Sequence, residues 1–152
     1  MLKIRDLRDE IIAFLTEKLP DYDIKAGKNN EFAIVPPGIM VFIEPGGDNL
    51  KNSNSHPVFR KAKVLLFAAV NSEESASDSS CLAVEILEEV EEYILNYELQ
   101  NYLSVSAKNI NGYQTKIEYP DNWIGFEGYF NNTAVASLEL SIDYCAYFGT
   151  TS

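Results

Sequence analysis

Residues 134–148 constrain the fold more than any other part of the chain. Ala134, Ala136, Leu138, Leu140, Ile142, Tyr144, Ala146 and Phe148 alternate with Ser137, Glu139, Ser141, Asp143 and Cys145. Successive side chains of a strand point to opposite faces, so a period of two held over about fifteen residues specifies one long strand with an apolar and a wet face. Its length exceeds that of an average strand. A sheet built on such a strand needs a cover for its apolar face, and two helical patterns can supply it. Residues 5–18 place Leu7, Ile11, Phe14 and Leu15 at the 3.6-residue period, with Ile4 one turn earlier, and Pro20 ends the pattern. Residues 79–97 align Ala83, Ile86, Leu87, Val90, Ile94 and Tyr97 in one stripe, with Asp78 or Ser79 able to cap it.

The other strand signals are shorter. Residues 22–26 and 32–35 read as a hairpin across Gly27-Lys28-Asn29-Asn30. After the break at Pro36-Pro37-Gly38, the run IMVFIE at 39–44 suits a strand covered on both faces. Residues 58–70, VFRKAKVLLFAAV, predict a long strand with an exposed basic start and a buried middle. Residues 103–107, 114–119 and 123–130 read as strands or strand pieces, separated by Asn111-Gly112 and Pro120-Asp121-Asn122. The sum is a single α+β domain over 1–152. It is a two-layer sandwich of a mainly antiparallel or mixed sheet with two amphipathic helices on one face. A chain of 152 residues can bury a sufficient core without disulfides or metals.

Charge is distributed unevenly. Residues 1–63 carry ten Lys and Arg against nine acids, whereas residues 64–152 carry only Lys108 and Lys116 against fourteen acids, and the whole chain has a net charge of -11. Such a surface repels a phosphate backbone, which argues against tight or sequence-specific nucleic-acid binding. It serves solubility, or it forms a negative wall that a polyanion passes without sticking. The N-terminus MLKIRDLRDEII lacks the features of a signal peptide, and no stretch reaches the roughly 18 apolar residues of a membrane span. A cytoplasmic protein with no membrane partner is expected. Cys81 and Cys145 lack metal-ligand spacing and read as half-buried thiols, and the Asn131-Asn132-Thr133 sequon reads as a turn.

No catalytic constellation stands out. His56, the only histidine, sits in a polar loop without a partner, and PGGDN lacks the spacing and lysine of a phosphate-binding loop. Ser-His-Asp, Cys-His, HExxH and nucleotide fingerprints are absent. No enzyme activity, cofactor or metal is therefore expected. The features that do stand out are electrostatic. Glu85, Glu88, Glu89, Glu91 and Glu92 crowd the polar surface of the second helix, where like charges three and four apart cost stability. Arg60, Lys61 and Lys63 form the densest basic cluster. Each set is either a solvated face or half of a contact between copies. Arg60, Lys61 and Lys63 against Glu85, Glu88, Glu89 and Glu92 of a neighbour would make a heterologous joint that closes into a ring. The long irregular segment at 45–57, with Asp48, Asn49, Lys51 and His56, and the acidic connection with Glu73 and Glu74 are candidate partner-contact loops. The alternative is a small-molecule or peptide-binding module on the aromatic C-terminal face of Tyr113, Tyr119, Trp123, Phe126 and Tyr129.

The order of LRDEIIAFLTEKLP, GIMVFIEPGG, VFRKAKVLLFAAVNSEE, CLAVEILEEVEEYIL and ASLELSIDYCAYF resembles the small tail-completion and tail-terminator proteins of long-tailed phages and prophages. The likeness is to the Mu-type tail-completion family above all, and also to lambda-type tail terminators. The basic strand followed by the Glu-rich helix is its most specific part, and residues 100–130 depart from it. The resemblance implies a homo-oligomeric ring, usually of six subunits, at the head-proximal end of the tail tube. Such a ring stops tube growth and offers a joint to the head or neck connector, with DNA passing through its lumen during ejection. Family lumens tend to be acidic. It implies a protein that is cytoplasmic during assembly and then part of the virion tail.

Overall fold

A computed structural model gives the fold and describes residues 3–27, 34–46, 58–71, 76–105, 115–118 and 123–147. The elements follow in the order α1 (Ile4–Lys18), β1 (Asp23–Ala26), β2 (Gly38–Pro45), β3 (Val58–Asn71), α2 (Ala76–Leu95), α3 (Glu98–Val105), β4 (Lys116–Glu118), β5 (Ile124–Phe130) and β6 (Thr133–Tyr147). They form an α+β fold with one six-stranded sheet in the order β1-β2-β3-β6-β4, and β5 also pairs with β6. Among the described residues, only the β1–β2 pair is parallel.

The long alternating segment is strand β6, paired with β3 along nearly its whole length. Their register sets Ala62, Val64, Leu66 and Ala68 beside Ile142, Leu140, Leu138 and Ala136, all fully buried on the face that the helices cover. Leu7, Ile11 and Leu15 of α1 and Ala83, Leu87 and Val90 of α2 close that core from above. Burying each large side chain contributes roughly 1.5–3 kcal/mol, so this layer is the main source of stability. Asn131 and Asn132 connect β5 to β6 with φ of 49° and 66°, the left-handed pair that a type I′ hairpin requires.

Several expectations need correction. First, the helical layer has a third member. Tyr97, expected as the last residue of the long stripe, adopts φ 62° and is 62% exposed, so α2 stops before it. Leu103, expected to open a strand, is instead buried in α3 with Leu99. This short helix brackets β4: Gln100 Oε1 accepts the Ile117 N–H at 3.0 Å and Ser104 Oγ accepts the Thr115 N–H at 2.9 Å. Residues 106 and 107 of the expected strand lie outside the described residues.

Second, β1 has no hairpin partner at 34–35. It pairs in parallel with β2, with Asp23 opposite Gly38. The Val35 N–H donates to Asp23 Oδ2 at 2.7 Å and the Asp23 N–H to the Pro37 carbonyl at 3.2 Å, which returns the chain alongside β1. A Cβ on Gly38 would stand 2.4 Å from the Asp23 carbonyl oxygen, so only glycine permits this approach. Residues 32 and 33 lie outside the described residues.

Third, α2 begins at Ala76, which places Asp78 and Ser79 in its first turn rather than at its cap. The buried Ser79 hydroxyl donates to the Asn71 carbonyl at 3.2 Å and fixes the helix to the end of β3. The cysteines also differ from expectation, since Cys81 is exposed and Cys145 is buried, and neither is in a disulfide.

Candidate functional site

The expected basic cluster is divided by the pleat. Arg60 lies on the helix side of β3 and is exposed, opposite Tyr144. Burial pushes the Tyr144 phenol upward, while Arg60 pulls it the other way. Lys61 and Lys63 lie on the opposite face, which no helix covers. Each already has two carboxylates. Lys61 Nζ is 3.6 Å from Asp143 and 3.7 Å from Glu118, and Lys63 Nζ is 3.0 Å from Glu139 and 4.0 Å from Glu44. The hydrogen bond and charge of Glu139 hold the Lys63 ammonium above its usual range. One Asp143 oxygen is shut away from solvent without a hydrogen-bond donor, so Lys61 compensates it by charge and not by a directional bond.

With Lys116 opposite Asp143, Glu127 bonded to Ser137 and Lys25 paired with Asp23 on β1, the described open face sets four lysines against six carboxylates. It is net acidic, not basic. The missing signal was register. The alternation ELSID of β6 meets FRKAK of β3 only once Lys63 is known to oppose Ser141.

The acidic helix is different. Glu85, Glu88, Glu89 and Glu92 are exposed on α2, and none has a Lys or Arg within ion-pair distance among the described residues. Glu89 accepts a hydrogen bond from the Tyr22 hydroxyl at 3.2 Å. Burial, and then the charge and bond of Glu89, push that phenol upward. Arg60, Lys61 and Lys63 therefore do not meet Glu85, Glu88, Glu89 or Glu92 within a subunit. Lys61 and Lys63 occupy the opposite side of the sheet from these glutamates.

Beside α2 runs β5, which among the described residues is an edge strand that pairs with β6 alone. Its register shifts between Phe126 and Gly128, and Gly128 takes the φ of 125° that this bulge demands. Phe126, Tyr129 and Phe130 are 42%, 46% and 49% exposed, and the Phe126 and Tyr129 rings meet edge to face at 5.1 Å. A cleft of about 340 Å³ separates β5 from α2, lined by Ser80, Cys81, Val84, Glu85, Glu88 and Phe126. Trp123 is half-buried against the main core, so it does not share this surface. Tyr113 and Tyr119 lie outside the described residues. So do Asp48, Asn49, Lys51, His56, Glu73 and Glu74, the whole set of expected loop contacts.

Among the described residues, no three or more His, Cys, Asp or Glu are grouped to hold a metal ion, and no helix is long and apolar enough to cross a membrane. The sequence matches no protein-family model and no curated protein.

Proposed function

We propose that this chain is a structural subunit of a phage or prophage tail, which caps or completes the tail tube and joins it to the neck as part of a ring. The observation that carries the reading is the character of the uncovered sheet face. Its six carboxylates outnumber four lysines, so it repels a polyanion while remaining rigid. A wall of this kind suits a lumen through which DNA slides. The helix-covered face supplies the stable body behind it.

The ring rests on the resemblance and not on charge pairing between Lys61, Lys63 and a neighbour's α2, because those lysines are already engaged within the subunit. Glu85, Glu88 and Glu92 stay available for a basic partner such as a tube or neck component. Electron microscopy of tails assembled without this protein tests the reading. Overlong tubes are expected, and tubes of normal length with normally attached heads would refute it. Light scattering across protein concentration adds a second measure, with ring-sized mass expected alone or on addition of tube ends.

A further inference from the structure

We propose that β5 is a docking edge for a short, extended, basic segment of a partner protein. The segment adds to the sheet as a further strand and seats a Lys or Arg in the cleft between Phe126 and the carboxylates of Glu85 and Glu88. The proposal does not depend on the tail assignment.

The edge itself is the first ground. Natural proteins blunt exposed edges with Lys, Pro, cover or a bulge, and the bulge of β5 after Phe126 leaves residues 124–126 outside it. The sequence of β5, IGFEGYF, contains neither Lys nor Pro. Its one charge, Glu127, is turned to Ser137 on the open face of the sheet. What it shows to solvent is aromatic surface, from Phe126, Tyr129 and Phe130. The bulge after Phe126 limits the straight run to residues 124–126. The added strand is therefore short, and side chains must supply most of the affinity.

The cleft selects the occupant. Alternate side chains of an added strand point to the helix side, where the cleft of about 340 Å³ offers an aromatic ring, the apolar Val84 and two carboxylates. Neither Glu85 nor Glu88 has a cationic partner among the described residues. The complement of an aromatic face and paired carboxylates is a cation on an aliphatic stem. A second copy of this chain is the poorer occupant, because each copy carries a net charge of -11.

The test uses a synthetic peptide alternating lysine and valine, with a glutamate–valine peptide as control. Binding is followed by fluorescence polarisation and by amide chemical shifts of the intact protein. The lysine peptide is expected to bind in a salt-sensitive manner and to shift the amides of residues 124–126 and of α2 around Glu85 and Glu88. E85K/E88K is expected to weaken binding at least about tenfold, as reversal of two carboxylates around one cation should. E17K/E98K makes the same change in net charge at exposed positions elsewhere on the helices and should leave affinity within about twofold. F126A should weaken binding while leaving the circular dichroism unchanged.

The proposal is overturned if the lysine peptide does not bind, if the two double variants weaken binding equally, or if the shifts fall away from β5. It is also overturned, in favour of a second copy, if the protein alone self-associates through an interface that F126A abolishes.

Discussion

Strands β3 and β6 lie side by side, and their two faces are held by different physics. On the helix side, Ala62, Val64 and Leu66 meet Ile142, Leu140 and Leu138 at 0% exposure. That face stabilises by removing apolar area from water, an effect without direction. On the helix-free side, Ile34, Met40 and Ala69 bury a smaller apolar cluster at one end, and at the other the same register sets Lys61 against Asp143 and brings Glu139 to Lys63. The Lys63 contact sits at the solvent boundary, where water and salt screen it, whereas the Lys61–Asp143 contact is partly shielded. The contrast separates two tasks. One face fixes the fold, and the other leaves charged groups within reach of solvent.

The sharpest way to break this contrast is to cut into the covered face. Leu138→Ala should cost about 3 kcal/mol in urea unfolding, the central value for a fully buried leucine, with no dependence on salt. A loss below about 1 kcal/mol would mean that this face is not the core. Phe67→Ala on the uncovered side should cost about 1.5 kcal/mol. Phe67 is only half-buried and meets Phe42 edge to face at 5.5 Å. Lys61→Met should cost about 1 kcal/mol, because it strands the shielded Asp143 oxygen. Lys63→Met should cost less than Lys61→Met, and its effect should vanish in high salt while that of Leu138→Ala persists.

Alkaline titration gives the finest comparison. The Tyr22, Tyr102 and Tyr144 phenols all titrate above the ordinary 10.0, each chiefly because burial disfavours the phenolate. The folded state thus binds those protons more tightly than the unfolded chain does. Their contribution is complete below pH 10.0 and is lost as pH rises through the folded values. Lys63 on the other face is raised above 10.5 by Glu139, and its contribution disappears in the same direction. Tyr144→Phe should flatten the fall of Tm above pH 10.0, read together with tyrosinate absorbance, and an unchanged fall would remove Tyr144 from the account.

How much of this was legible follows the same division. The strands β3 and β6 and the helices α1 and α2 announce themselves through sustained periods of two and 3.6, because burial on one face imposes the pattern. The short α3 does not, since ELQNYLSV offers only Leu99 and Leu103 to the core. Its helical form comes from tertiary packing, including Tyr102, whose ring lies 5.2 Å from Phe14 and whose hydroxyl bonds Glu10 at 3.0 Å. No glycine marks the break before it, because Tyr97 takes the left-handed conformation itself. The parallel β1–β2 pair was hidden because its cause is a single carboxylate, Asp23, reaching the Val35 N–H.

The candidate site was legible in part. The acidic stripe of α2 could be read directly, and Phe126 and Tyr129 were among the aromatics that stood out. The engagement of Lys61 and Lys63 could not be read, because it depends on which residues of three other strands come opposite them.

The placement of β6 between β3 on one side and β4 and β5 on the other has a consequence for biosynthesis. Val64 and Leu140 are neighbours in the sheet yet lie 76 positions apart along the chain. A ribosome releases β2 and β3 early, and β3 then carries a long ladder of unmatched amides and an apolar flank until the last strand emerges. A message cut short before that strand would not yield a smaller domain. It would yield a sticky half-sheet, inclined to join others like itself and suited to rapid disposal by chaperones and proteases.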